Sequence, residues 1–354
     1  MNPVTCFILF CMFKVAFGQA QGAESGSDQF SGPDFQALVR KADPLDAVES
    51  LKSFDVPDGF RMELVAASPD IGQPMNLAFD ERGRLWVTST LEYPYAAPLG
   101  QPGRDTIKIL EDTNGDGVYD KLFTFADGLN IPTGIYPYKD GAIAWSIPNI
   151  WFLRDTDGDG RADKREKLYG PLGYERDTHG MHSSFTRGLD GWLHLTHGFN
   201  NNTTVTAADG SSITMNSGNT YRVQPDGLSV EQFTFGQVNP FGMCLDTFGN
   251  FYTADCHSSP IYQLIRDAYY PSFGKPHDGM GFAPLVIAHN HNSTGLCGIV
   301  FNQGNHWPAE FRDNIFIGNV ITSRVNRDRV DWLGSSPKGT ELPDLVRTSD
   351  PWFR

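Results

Sequence analysis

The hexapeptide Asp177-Thr178-His179-Gly180-Met181-His182 places a carboxylate and two imidazoles within the length of one loop. Imidazole changes charge near neutral pH, so a histidine here can take or give a proton with little tuning, and Asp177 can orient it. His194 and His197 follow Arg187 and the turn Gly188-Leu189-Asp190-Gly191. Asp-Gly tolerates the positive φ of a hairpin, and the alternation Trp192-Leu193-His194-Leu195 reads as a strand. The polar residues therefore sit at the end of a strand where the chain must reverse. Either His179 or His182 could serve as a general base, with Asp177 as partner. The same residues suit a divalent metal, since neutral imidazole and carboxylate are both good ligands, and spacing does not choose between the two.

The elements that must position these groups are short apolar stretches broken by Gly, Pro and Asp, almost without helical periodicity. One phrase recurs: an apolar strand, an acidic turn with Gly, an apolar strand. It is clearest in Leu77-Ala78-Phe79-Asp80-Glu81-Arg82-Gly83-Arg84-Leu85-Trp86-Val87. Further copies run through Lys139-Asp140-Gly141-Ala142-Ile143, through residues 184–195, through Leu245-Asp246-Thr247-Phe248-Gly249-Asn250-Phe251, and from Leu296 to Gly318. A spacing of about fifty to sixty residues, each copy holding a hairpin and further strands, is the pattern of propeller blades. The expected fold is all-β, with about five blades visible over residues 54–354. An open seam would expose strand edges, which predicts a last blade beyond Arg354.

Polar clusters recur at matching blade positions: Asn239-Pro240, Asp255-Cys256-His257, His289-Asn290-His291-Asn292-Ser293, and Arg324 with Arg327. In a propeller such loops converge on one face around the central channel. Arginines there can hold an anion or stabilise developing negative charge.

Two acidic loops share nearly the same letters. Asp112, Asn114, Asp116 and Asp120 in the first, and Asp155, Asp157, Asp159 and Asp163 in the second, stand at alternating positions with Gly at the sixth. That arrangement lets a chain wrap one calcium ion. The second loop also has Glu166 at the twelfth position, where a bidentate carboxylate belongs; the first has Phe123 there. Placed between blades, such loops would stiffen a long connection.

The formal net charge of −14 over 354 residues argues against nucleic acid or an anionic membrane surface as partner. Residues 6–17 form an apolar run of signal-peptide length followed by small residues, so residues 1–23 read as an export signal and the protein as periplasmic or associated with the cell envelope. Residues 24–53 read as a flexible lead-in with a short helix. After removal of Cys6 and Cys11, an odd three cysteines remain, which argues against a disulfide framework.

His179 with Gly188-Leu189-Asp190-Gly191-Trp192-Leu193, Val238-Asn239-Pro240-Phe241-Gly242, Ala254-Asp255-Cys256-His257 and Phe316-Ile317-Gly318-Asn319 resembles the soluble quinoprotein glucose/sorbosone dehydrogenases. Glu92-Tyr93-Pro94, Asp177-Thr178-His179-Gly180-Met181 and Asp350-Pro351-Trp352-Phe353-Arg354 look more like the membrane-bound dehydrogenase family of Planctomycetes and Verrucomicrobia. The resemblance implies a six-bladed β-propeller (TolB-like, quinoprotein glucose dehydrogenase-like), pyrroloquinoline quinone (PQQ) and calcium as cofactors, and oxidation of a sugar or other alcohol outside the cytoplasm. It implies His179 as catalytic base with His182 the close second, Asn239, His257, His291, Arg324 and Arg327 as cofactor contacts, and a cytochrome c-type electron acceptor not encoded in this chain. One departure stands out: the quinoproteins carry Arg before the Asn-Pro-like turn, where this chain has Val238.

Two rivals follow from the same residues. A metal-dependent hydrolase or lactonase would use His179, His257, His289 or His291 with Asp177 or Asp255 to hold a cation that activates water. A non-catalytic carbohydrate- or protein-binding propeller would stack sugars on Trp86, Trp145 or Trp192, although their place after each turn marks them as core.

Overall fold

The computed structural model describes residues 4–8, 43–258, 260–272, 283 and 285–353. Most of the expected export signal and the first part of the lead-in lie outside the described residues. The expected helix forms over Ala47–Lys52, where Asp46 accepts from the backbone N–H of Val48 and Glu49 and so satisfies two donors that a helix start leaves open.

Five antiparallel sheets follow in chain order. The first blade is Gln73–Phe79, Leu85–Thr90, Asp105–Glu111 and Lys121–Leu129; the second is Ile135–Tyr138, Gly141–Ser146, Asn149–Arg154 and Lys164–Tyr169. The third, His182–Arg187, Leu193–His197, Asn219–Val223 and Val230–Gly236, carries an inserted hairpin, Asn202–Thr206 with Ser212–Asn216. The fourth has Pro240–Leu245, Phe251–Asp255 and Ile261–Leu264. The fifth has Leu296–Asn302, Asn314–Asn319, Arg324–Leu333 and Ser336–Thr348, and Phe54–Asp55 pairs with its last strand. A sixth four-stranded sheet is not found among the described residues. Phe60–Leu64, which Val4–Ile8 flanks in parallel, lies instead against blade five, with the Phe60 ring 5.3 Å from Trp307 and 4.9 Å from Phe311.

The repeated acidic phrase has a physical cause. Asp80 accepts from the backbone N–H of Arg82 and Arg84 while Gly83 takes φ +77°, and the Asp80 carboxylate also receives Trp86 Nε1 at 3.0 Å. Asp246 does the same for Phe248 and Asn250 around Gly249 and receives the Tyr252 hydroxyl at 3.2 Å. Each turn thus needs glycine's left-handed backbone and ties its aspartate to an aromatic on the following strand.

Because both faces of a blade are covered by its neighbours, the second strands are buried throughout rather than alternately; Leu85–Thr90 and Gly141–Ser146 have no exposed residue. Trp86, Ile107 and Phe125 of blade one pack on Ile135, Ala142 and Leu153 of blade two. Ile143, Trp145 and Phe152 of blade two pack on Phe185, Leu195 and Tyr221 of blade three. Tyr252 and Ile261 of blade four pack on Ile299, Phe301 and Ile317 of blade five.

Antiparallel order dictates where the loops go. The start of each first strand, the end of each second and the start of each third share one end of the blade. Residues 91–95, 130–134, 170–181, 198–201, 237–239, 256–258, 288–295 and 319–324 all belong to that end. The acidic loops do not. Each joins the third and fourth strands of one blade, so they lie within blades and at the opposite end, not between blades as the sequence reading had them.

Candidate active site

His179 is the histidine of its hexapeptide that reaches solvent, with 57% of its side chain exposed. Its backbone N–H donates to Asp177 Oδ1 at 2.7 Å, and Nδ1 lies 3.5 Å from the same oxygen. The ring rests on Tyr93, 5.0 Å between centroids. Asn201, buried at the end of blade three's second strand, clamps this loop. Its Nδ2 donates to the carbonyls of Asp177 (2.6 Å) and Gly180 (3.2 Å), and its Oδ1 accepts from the N–H of Arg176 and Asp177. The approach is close: a Cβ on Gly180 would stand 2.1 Å from the Phe199 carbonyl oxygen. The Thr178 hydroxyl donates to the Pro94 carbonyl at 2.6 Å, which ties blade one's loop to the same place.

Asn239 and His257 are set by one buried carboxylate. Asp255 accepts from the N–H of Val238 (2.8 Å) and Asn239 (3.0 Å) and from the Ser258 hydroxyl (2.8 Å). Asn239 Oδ1 then accepts from Phe199 N–H at 3.2 Å, joining blade four's loop to blade three's, and His257 Nδ1 lies 3.3 Å from the Thr294 hydroxyl of blade five's loop. Burial first, and then the charges of Asp177, Cys256 and Cys297, push the Tyr93 phenol up to about 12. Asp177, Cys256 and Cys297, from three other blades, therefore each lie within electrostatic reach of Tyr93. The three cysteines of the propeller are free thiols. Burial pushes the Cys297 thiol up to about 11 and the Cys256 thiol well above its ordinary value.

His182 is a core residue and not a second base. It is 0% exposed, its Nδ1 lies 2.5 Å from the Tyr221 hydroxyl, and the ring packs on Trp145 and His197. Burial holds its pKa well below the ordinary value, so the neutral ring is the folded form. His194 and His197 are buried too. His194 lies between Phe233 and Phe251 with Nε2 3.1 Å from Asp190, and burial pulls its pKa down to about 4. Its position, second in its strand, matches Trp86 and Tyr252, which is the sequence signal that marks it as structural.

The expected arginine contacts are engaged elsewhere. Arg324 Nη2 donates to the His291 carbonyl at 2.9 Å, Nη1 to Asp344 at 3.3 Å and Nε to Thr322 at 2.7 Å. Arg327 lies over the Phe311 ring, with its guanidinium donating to Asn314 and the Glu310 carbonyl on blade five's flank. His289 and His291 meet Asp328 and Glu341, not Asp177 or Asp255. Trp86 and Trp145 are core, and Trp192 is stacked by Arg222 at 4.6 Å.

In the acidic loops the carboxylates cap their own backbone. Asp112 accepts from Gly115 and Gly117 N–H, Asn114 from Asp116, Asp116 from Val118, and Asp120 from Thr113. Asp155 accepts from Gly158 and Gly160, Asp159 from Arg161, and Asp163 from Thr156. Asp155, Asp157 and Asp159 each bring an oxygen within 4.8 Å of the others. Glu166 departs from expectation: it lies on the next strand and pairs with Arg154 at 3.1 Å and Lys164 at 2.6 Å. Arg154 from the neighbouring strand and Lys164 two residues before it on its own strand draw it away from the loop.

The domain of unknown function DUF7133 matches residues 46–354 by its family model. This chain belongs to the DUF7133 family. No curated protein matches the sequence. Among solved structures, this DUF7133 chain is similar to the holo PQQ domain of pyranose dehydrogenase from Coprinopsis cinerea, at 13% identity over 84% of this chain and 87% of that one, TM-score 0.57. The PQQ-bound aldose sugar dehydrogenase of Streptomyces coelicolor gives 14% identity over 82% and 85%, TM-score 0.52. A family AA12 carbohydrate-active enzyme of Trichoderma reesei gives 11% identity over 84% and 88%, TM-score 0.56. At such identities these likenesses establish the fold, the propeller of quinoprotein sugar dehydrogenases.

The DUF7133 residues that reasoning from sequence missed are the supports. Arg176, exposed beside Asp177, stands in the same phrase as His179, and Asn201 and Tyr93 stand at blade ends matching those already singled out.

Proposed function

We propose that this DUF7133 propeller is an exported quinoprotein-type dehydrogenase that oxidises a hydroxyl of a sugar or other alcohol, with His179 as general base. The observation that carries the reading is the exposed His179 ring, with Nδ1 3.5 Å from Asp177 Oδ1, at the end where loops of four blades meet. The apolar run over residues 6–17 supports export.

The donors at this end suit an anionic polar ligand. Asp105 and Asp255 are buried with their oxygens taken up by backbone N–H groups, so neither is presented to a ligand, while Arg176, His179, His257 and the Asn239 amide remain at the face. Arg176, Asn239 and His257 would hold PQQ, with Arg176 in the part expected of Arg324 and Arg327. When bound, PQQ supplies a two-electron acceptor for the hydride. His179, with Asp177 beside it, takes the hydroxyl proton. Tyr93 carries the underside of the ring and keeps water from that face. A cytochrome c-type acceptor would receive the electrons.

The test is a titration of the full chain with PQQ in excess calcium, read by heat and absorbance, followed by turnover on an aldose panel with an artificial electron acceptor. We expect saturable binding, weakened at least about tenfold in Arg176→Ala. His179→Gln should keep the binding and lose roughly 10²- to 10⁴-fold in turnover. No saturable binding together with no turnover overturns the reading.

A further inference from the structure

Residues 285–291, ahead of blade five's first strand, lie against that blade's two outer strands, with the Val286 carbonyl accepting from Gly339 N–H, and set His289 and His291 over them. Asp328 and Glu341 stand directly opposite one another on those strands. Asp328 is 0% exposed, in a face also lined by Ile287 and Val330. Its Oδ2 meets His291 Nε2 at 2.8 Å. Its Oδ1 lies 2.9 Å from His289 Nε2, yet the two are out of line, and neither of these buried atoms has a hydrogen-bond partner. The imidazoles stand perpendicular, 4.5 Å between centroids, and His291 Nδ1 is 3.2 Å from Glu341 Oε1. One donor atom each from His289, His291 and Glu341 fall within 4.8 Å of one another.

A buried carboxylate oxygen facing a ring nitrogen with no hydrogen bond between them is costly, and a cation among these donors relieves it. Two imidazoles and a carboxylate, with a second carboxylate fixing the rings from behind, form the donor set of a borderline transition metal, not of calcium, which takes oxygen alone. We propose that His289, His291 and Glu341, backed by Asp328, bind a divalent cation of the zinc class. Glu341 is half exposed, which gives the ion an entry path and leaves a position for water. The ion fastens the segment before blade five to that blade's outer strands. Through the bond from Arg324 to the His291 carbonyl it also steadies one wall of the blade-end face. The proposal stands apart from the oxidation chemistry.

The experiment strips the full chain of metal and titrates it with zinc in excess calcium, which occupies the oxygen-only acidic loops. Cobalt(II) is titrated separately, because its visible absorption reports nitrogen ligation. We expect one equivalent bound, a higher melting temperature, and affinity weakened about 10- to 100-fold or more in His289→Gln and in Glu341→Gln. Asp157→Asn should leave it unchanged. Melting of the metal-free variants checks that they fold; if either does not, the parent's stoichiometry and cobalt spectrum decide. Binding of less than one equivalent, a cobalt spectrum without nitrogen ligation, or unchanged affinity in both folded variants overturns the proposal and leaves the cluster an ion pair.

Discussion

Asn201 illustrates how much of a site rests on a residue that touches no substrate. It satisfies four backbone groups of residues 176–180, so truncation strands donors and acceptors at the edge of the core. Asn201→Ala should cost roughly 2 kcal/mol, seen as a melting temperature lower by about 5 °C, and should weaken PQQ binding with it. His194 gives a prediction in pH. Its folded pKa, about 4, lies below the ordinary 6.5, so the fold keeps the neutral ring and the unfolded chain takes the proton first as pH falls. The stability it contributes is complete above about pH 6.5 and is lost toward pH 4, on the order of 3 kcal/mol. Urea midpoints between those pH values should fall less steeply in His194→Gln than in the parent; equal slopes would contradict the assignment. His179 and His182 show what sequence hides at this scale. They are three residues apart, yet one lies in the loop and the other opens the strand that enters the core, a boundary the residue types do not mark.

At the scale of elements, the acidic turns between first and second strands were legible because their chemistry is local. Asp80 and Asp246 bond backbone two and four residues on, and the Gly positions need left-handed φ. Asp246→Ala should destabilise by about 2 kcal/mol in chemical denaturation, since it releases two N–H groups, an amide and the Tyr252 hydroxyl together. The longer acidic loops were legible as loops, but Glu166 was not, because its partner Arg154 comes from the neighbouring strand. Calcium at about a hundred times its dissociation constant should add roughly 3 kcal/mol of stability for each loop that binds it, about twice that for both. That gain should shrink by about half or more in Asp155→Asn, whereas Glu166→Gln should leave it nearly intact; the reverse ranking would restore Glu166 as a ligand.

At the scale of the molecule, the recurrence of one phrase was enough to count five blades, because each blade repeats the same solution to burying two faces. The tie between the two ends of the described propeller was not legible. Phe54–Asp55 pairs with Ser336–Thr348, and the Ser50 hydroxyl donates to Asp350, contacts nearly 300 residues apart in sequence that no local pattern announces. Removing residues 43–55 should lower the melting temperature by several degrees, with little change in the far-ultraviolet spectrum of the remaining sheets. The separation of the two ends also has a practical side. The tips of the acidic loops, around Asn114 and Asp157, point away from His179. A cysteine or affinity handle grafted there would anchor the protein to an electrode or bead with the blade-end face that carries His179 turned toward the bulk solution.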